Sequence, residues 1–98
     1  MSLESYIPIT TICTHYKVET TFLQSLNYYG LIEINTIEKL PCIHQENIKS
    51  LESMIRLHDD LHINFEGIDT IMNLLEKIEL LQNELRTVKN RLGIYEDH

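Results

Sequence analysis

The 98-residue sequence is 43% hydrophobic and 23% charged, a composition for one soluble globular domain, or a small domain with an extension. Eight Lys and Arg stand against fifteen Asp and Glu, a net charge of −7, the opposite sign to the basic footprint of a generic nucleic-acid binder. No run of about 18 apolar residues exists to cross a membrane, residues 1–6 lack the basic and apolar regions of a secretory signal, and three Gly and two Pro argue against a many-stranded β protein.

A cytoplasmic, reducing compartment is therefore expected, with Cys13 and Cys42 as free thiols. Cys13-x-His15 and Cys42-x-His44 form two Cys-x-His pairs, and four such ligands suit zinc chemically. The spacing departs from C-x2-C, and each pair lies in a segment that also reads as core. A small buried Cys beside a half-exposed His fits that spacing better. His58 and His62 share a helical face but lack the Glu of H-E-x-x-H and a third ligand. No cofactor is expected.

Taken in chain order, "ITTICTHY" predicts a short helix capped by Thr10 or Thr11, with Ile12 and Tyr16 on one face. Lys17 and Val18 connect it to a second helix over residues 19–29, where Phe22, Leu23, Leu26 and Tyr29 share a side. Gly30 stands where a helix ends through a left-handed residue. Two short helices with a tight turn predict a helix-turn-helix. In "LIEINTIEKLP", residues 31–34 and 37–40 predict a short β-hairpin turning at Asn35-Thr36, with Pro41 stopping the second strand.

Residues 44–62 predict an amphipathic helix through Ile48, Leu51, Ile55 and His58 or Leu61. Its outer face carries Glu52, Arg56, Asp59 and Asp60, spaced for a ladder of i, i+4 ion pairs, each worth about 0.2–0.5 kcal/mol. His62-Ile63 breaks that helix. Asn64 is a good N-cap for the next, with Glu66 and Asp69 placed near its positive end. That helix is expected to run to Leu92 and stop at Gly93. About 29 residues at 1.5 Å each span roughly 44 Å, more than a compact domain of this size can cover, so its second half is expected to protrude. The division is thus residues 1–62 and residues 63–98.

Along the last helix Ile71, Leu74, Ile78, Leu81, Leu85, Val88, Leu92 and Tyr95 recur in alternating steps of three and four, an a/d heptad seam. Packing on the protein's own first half can cover residues 68–75, but little chain remains for the rest. Homodimerisation through Ile78, Leu81, Leu85, Val88 and Leu92 follows as an expectation. Parallel and antiparallel pairings both remain open.

The order of parts resembles the MerR type of winged-helix protein: mainly α, with a helix-turn-helix, a β-hairpin wing, a further helix and a terminal dimerising helix. More specifically, "IRLHDDLHINFEGIDTIMNLLEKIELLQNEL" resembles the chaperone-modulator family. Arg56-Leu57, Leu61, Gly67-Ile68, Met72, Leu75, Ile78, Leu81 and Glu84 carry that likeness. His15, Val18, Leu23 and Gly30-Leu31-Ile32-Glu33 carry it earlier, and together it covers residues 6–92. Phe65-Glu66 departs from the family's aromatic-Pro before Gly-Ile, keeping the aromatic and losing the proline. The resemblance implies binding to the J-domain of a DnaJ-like co-chaperone, with inhibition of its work with Hsp70. The alternative it leaves is a dimeric, DNA-reading MerR regulator.

Charge separates the two. DNA docking needs Lys and Arg at phosphates, yet Lys39 is the one basic residue between Val18 and Gln45. Residues 1–43 carry Lys17 and Lys39 against Glu4, Glu19, Glu33 and Glu38, a net of −2. Residues 44–76 carry Lys49 and Arg56 against Glu46, Glu52, Asp59, Asp60, Glu66, Asp69 and Glu76, a net of −5, and residues 77–98 balance at four against four. DNA binding is not expected. The resemblance implies that a J-domain presents a basic helix to Hsp70, and an acidic surface facing that helix is expected, with Glu52, Arg56, Asp59, Asp60, Glu66 and Asp69 as the contacts. No nucleophile–base motif or phosphate loop appears, and adjacent Asp59-Asp60 cannot face each other on a helix, so a non-enzymatic protein is expected.

Overall fold

A computed structural model describes residues 5–93. The order of elements is β1 (Tyr6–Pro8), α1 (Ile9–Tyr16), α2 (Thr20–Tyr28), β2 (Asn35–Ile37), β3 (Leu40–His44), α3 (Ile48–Asp59) and α4 (Phe65–Leu92), with a 3-10 turn at Gln45–Asn47 ahead of α3. The chain is mainly helical and adds one small antiparallel sheet, ordered β1-β3-β2.

α1 starts two residues earlier than a cap at Thr10 would allow. Pro8 occupies the cap position with φ −58°, and no side chain caps the helix. Proline holds φ near −65° by its ring, so it sets the helix start without a cap bond. Neither Thr10 nor Thr11 caps; both lie inside the helix, where the Thr14 hydroxyl donates to the Thr10 carbonyl at 3.0 Å. Lys17 ends α1 in the left-handed region (φ 56°) and turns the chain at once into α2. Glu19 precedes α2 as its cap residue, and Gly30 leaves the helix at φ 75°, a conformation open to glycine at little cost.

The hairpin turn lies three residues further on than the sequence suggests. β2 pairs with β3 through Asn35↔Cys42, Thr36↔Pro41 and Ile37↔Leu40, so the turn falls on Glu38-Lys39. Both turn residues have positive φ, 50° and 68°, as the tightest hairpin turns demand. Pro41 does not end the strand. It is the second residue of β3 and lies beyond the last β1 partner, Cys42 opposite Pro8, so its missing N–H interrupts no ladder on that side. β1, a strand absent from the sequence reading, pairs Tyr6, Ile7 and Pro8 with His44, Ile43 and Cys42.

The core draws on every layer: Ile9 and Ile12 of α1, Leu23 and Leu26 of α2, Ile43 of β3, Leu51 and Met54 of α3, and Ile68 of α4. Each is a large aliphatic group almost removed from water, worth about 1.5–3 kcal/mol of transfer free energy. α4 enters this core by its first turns. The Asn64 side chain accepts the Gly67 N–H at 2.8 Å, a true N-cap. A Cβ on Gly67 would meet Ile63 Cγ2 at 2.6 Å and Asn64 Oδ1 at 3.1 Å, so only glycine fits between the cap and the chain leading to it. The helix then continues for 28 residues and stops at Gly93 in the left-handed region, φ 67°. Its outer half extends past the core and lengthens the molecule to 52 × 35 × 22 Å, with a radius of gyration of 17.2 Å. A compact chain of this length has about 13 Å.

Candidate docking surfaces

Three surfaces carry the chemistry, and all use α3 or α4. The first is the outer face of α3. Its expected ion-pair ladder does not close: among the described residues the carboxylate contacts with basic side chains are from histidine, His58–Asp59 at 3.0 Å and His44–Glu46 at 3.9 Å, with none from Lys or Arg. His44 Nδ1 accepts the Glu46 N–H at 3.1 Å, so that nitrogen holds no proton and the longer contact is not a true ion pair. Glu52 turns instead to α1, accepting the Tyr16 hydroxyl at 2.7 Å. Exposed i, i+4 pairs gain too little in water to compete with a short hydrogen bond to a carboxylate. That bond, with lesser help from burial and the carboxylate charge, pushes the Tyr16 hydroxyl above its ordinary pKa. Arg56 and Asp60 share a groove with Leu57, Leu61 and Leu75, of about 350 Å³ between the end of α3 and α4.

The second surface is an aromatic tier joining α2, α3 and α4. Phe65 stacks on Tyr29 with centroids 5.4 Å apart, and on His58 at 5.4 Å. Phe22 completes it at 4.8 Å from His58 and 5.9 Å from Phe65. Tyr28 meets Tyr29 edge-on at 5.3 Å and is 83% exposed. The Tyr29 hydroxyl donates to Glu66 at 3.4 Å, and the nearby carboxylate charge raises its pKa. The sequence reading did not see this tier. Its signals were Phe22 and Tyr29 on one side of the second helix and the aromatic Phe65 ahead of Gly67, which the sequence alone did not bring together.

The third is a groove of about 480 Å³ where Gly30-Leu31 and α3 meet α4. Leu31, Met54, Met72, Leu75 and Leu80 supply apolar lining, with Asp69, Glu76 and Glu79 beside them. Beyond it α4 is bare: Ile78, Leu81, Leu85, Val88 and Leu92 are 49–65% exposed. Tyr95, the last seam residue expected from the sequence, lies outside the described residues.

The six expected contact residues are thus spread over the molecule. Arg56 and Asp60 share one groove, and Asp69 lines another. Glu52 binds α1, Asp59 binds His58, and Glu66 reaches Tyr29. The two Cys-x-His pairs are used locally. Cys13 Sγ lies 3.7 Å from the Thr20 hydroxyl, and buried Cys42 donates to the Leu40 carbonyl at 3.5 Å. Among the described residues no three His, Cys, Asp or Glu side chains gather in a metal-binding group, and no helix is long and apolar enough to cross a membrane.

Comparison with known proteins places these surfaces in context. A family model described as "MerR HTH family regulatory protein" matches residues 7–90. The chain is 23% identical to the chaperone modulatory protein CbpM of Pseudomonas entomophila (strain L48) over 88 residues, covering 89% of this chain and 87% of that protein. No solved structure matches.

Proposed function

The chain belongs to the MerR HTH family of regulatory proteins, and on that premise we propose that it is a non-enzymatic, cytoplasmic adaptor that docks the J-domain of a DnaJ-like co-chaperone and restrains its work with Hsp70. The likeness to a chaperone modulatory protein supports the chaperone side of the reading. The charge distribution carries the rest. In this reading α1, α2 and the β2–β3 hairpin form a winged helix-turn-helix that has lost its purchase on nucleic acid. Lys39 is the one Lys or Arg from Val18 to Gln45, a single exposed cation at the tip of the hairpin. Without phosphate neutralisation a helix-turn-helix lacks most of its docking energy. The acid instead gathers in residues 44–76, on α3 and the start of α4, at a net of −5.

Masking is steric and electrostatic. The acidic surface, with Glu52, Arg56, Asp59, Asp60, Glu66 and Asp69 as contact candidates, meets a basic helix of the J-domain and denies it to Hsp70. Complementary charge speeds the encounter and selects the partner. Residues 63–98 form the second unit, and Ile78, Leu81, Leu85, Val88 and Leu92 pair two copies through α4.

A calorimetric titration of the purified protein with the J-domain of a co-chaperone from the same cell, at two salt concentrations, tests the proposal. Saturable binding near one J-domain per chain, weaker at high salt, is expected. Reversal of Asp59 and Asp60 to Lys should slow association and flatten its salt dependence. Absence of binding would hand the protein to the second reading, a dimeric transcriptional regulator, which the family description favours. That reading requires tight, salt-sensitive duplex binding in a DNA selection.

A further inference from the structure

We infer that the groove between Gly30-Leu31, α3 and α4 is the seat of a basic amphipathic helix from the partner protein, an inference that rests on the docking reading above and gives it a surface. Helix geometry separates this groove from the dimer seam. Met72, Glu76 and Glu79 each precede a seam residue, Leu74, Ile78 or Leu81, by two positions. Two positions turn an α-helix by about 200°. Groove and seam therefore lie on nearly opposite sides of α4, and pairing through the seam leaves the groove open.

The groove also explains apolar exposure that the seam does not. Leu75 and Leu80 fall outside the a/d positions, yet are 47% and 57% exposed. Together with Leu31, Met54 and Met72 they form an apolar lining. Met72, partly exposed above the buried Met54, adapts to the shape of an incoming side chain. From Asp69 to Leu80 the groove follows α4 for about 17 Å, the length of three turns of a docked helix with apolar anchors at i, i+4 and i+7.

Charge selects the sign of the occupant. Asp69, Glu76 and Glu79 line the groove, and no Lys or Arg is among its described lining residues. None of the three carboxylates is ion-paired among the described residues. Asp69 accepts one hydrogen bond, from Asn73 Nδ2 at 3.4 Å, within the same helix turn. Three carboxylates without a cationic partner, beside an apolar lining, match a helix with Lys or Arg flanking its apolar stripe. Of the six contact residues expected from sequence, only Asp69 belongs to this site.

The test uses the full-length protein with its methionine methyl groups carbon-13 labelled, titrated with the same J-domain. Saturable shifts of the Met54 and Met72 signals are expected. The double variant Glu76→Lys, Glu79→Lys, checked for unchanged helix content and sedimentation, should bind at least about tenfold more weakly. Binding without shifts at either methionine, and with the double variant binding as tightly as the parent, would overturn the groove and leave the docking reading standing. Absence of J-domain binding would remove both. Shifts of Met54 and Met72 on concentrating the protein alone would seat a second copy in the groove and overturn the proposal.

Discussion

Ile68 and Leu85 belong to one unbroken helix, yet the first is fully enclosed and the second is 55% exposed. Both are large aliphatic residues in a regular helical pattern. The inner end of α4 is covered by side chains from α1, α2, β3 and α3, which together close the core around Ile68. Among the described residues, no other element covers the outer end. Periodicity therefore tells which face of a helix wants cover, but only the arrangement of the other elements tells whether the chain supplies it. The inner end encodes stability, and the outer end is the part the proposed pairing would cover.

The largest effect that would sharpen this contrast comes from the core. Leu51→Ala should cost about 2–5 kcal/mol in denaturant unfolding, because Leu51 is fully buried among elements that cannot collapse onto the gap. Leu85→Ala should change monomer stability by less than about 0.5 kcal/mol. Equal, concentration-independent losses at both positions would erase the distinction. Next is the outer end itself: Leu85→Glu should weaken self-association by roughly 2 kcal/mol or more, giving monomers in sedimentation with the core fold retained. A persistent dimer would show that the seam is not the pairing surface.

At the joint between the two ends, Gly67→Ala should cost about 1–3 kcal/mol. A Cβ there would strike Ile63 and crowd the Asn64 cap. A thermal melt no lower than the parent's would mean that the entry to α4 can yield. The smallest effect is Tyr16→Phe, expected below about 1 kcal/mol because its bond to Glu52 is open to water. The sign with pH is definite. A tyrosine whose folded pKa is raised stabilises the fold fully below its ordinary value of about 10, and loses that contribution as pH rises through the folded value. Glu52→Gln should lower the Tyr16 ionisation towards its ordinary value in an ultraviolet titration.

Much of α4 was legible in sequence because its signals are local. Asn64 as cap, Gly93 as stop and the three-four spacing between them all depend on neighbours within a turn or two. The hairpin itself was legible, but the place of its turn was not, for a physical reason. Its turn places Glu38 and Lys39 at positive φ, where Asn and Gly are the usual signals. β1 escaped notice because three residues become a strand only through pairing with β3, more than thirty positions away. The candidate surfaces divide the same way. The acidic character of residues 44–76 is visible in any count of charge. Which carboxylates share a lining with Leu31 and Met54 depends on three elements meeting, and Asp69 alone of the expected contacts meets it.

The length of α4 has a further consequence, for its own order. Its outer half, about 14 residues from Glu79 onward, is a length at which an isolated helix is marginal in water. With no core beneath it, that half draws its permanence from whatever covers its apolar side. Backbone amides near Ile68 should exchange with solvent only through global opening, whereas those near Val88 should exchange through local fraying until a second helix is laid alongside. Under the proposed pairing, coiling and association become one equilibrium, and the protection of a few terminal amides would report, residue by residue, how much of the protein is paired.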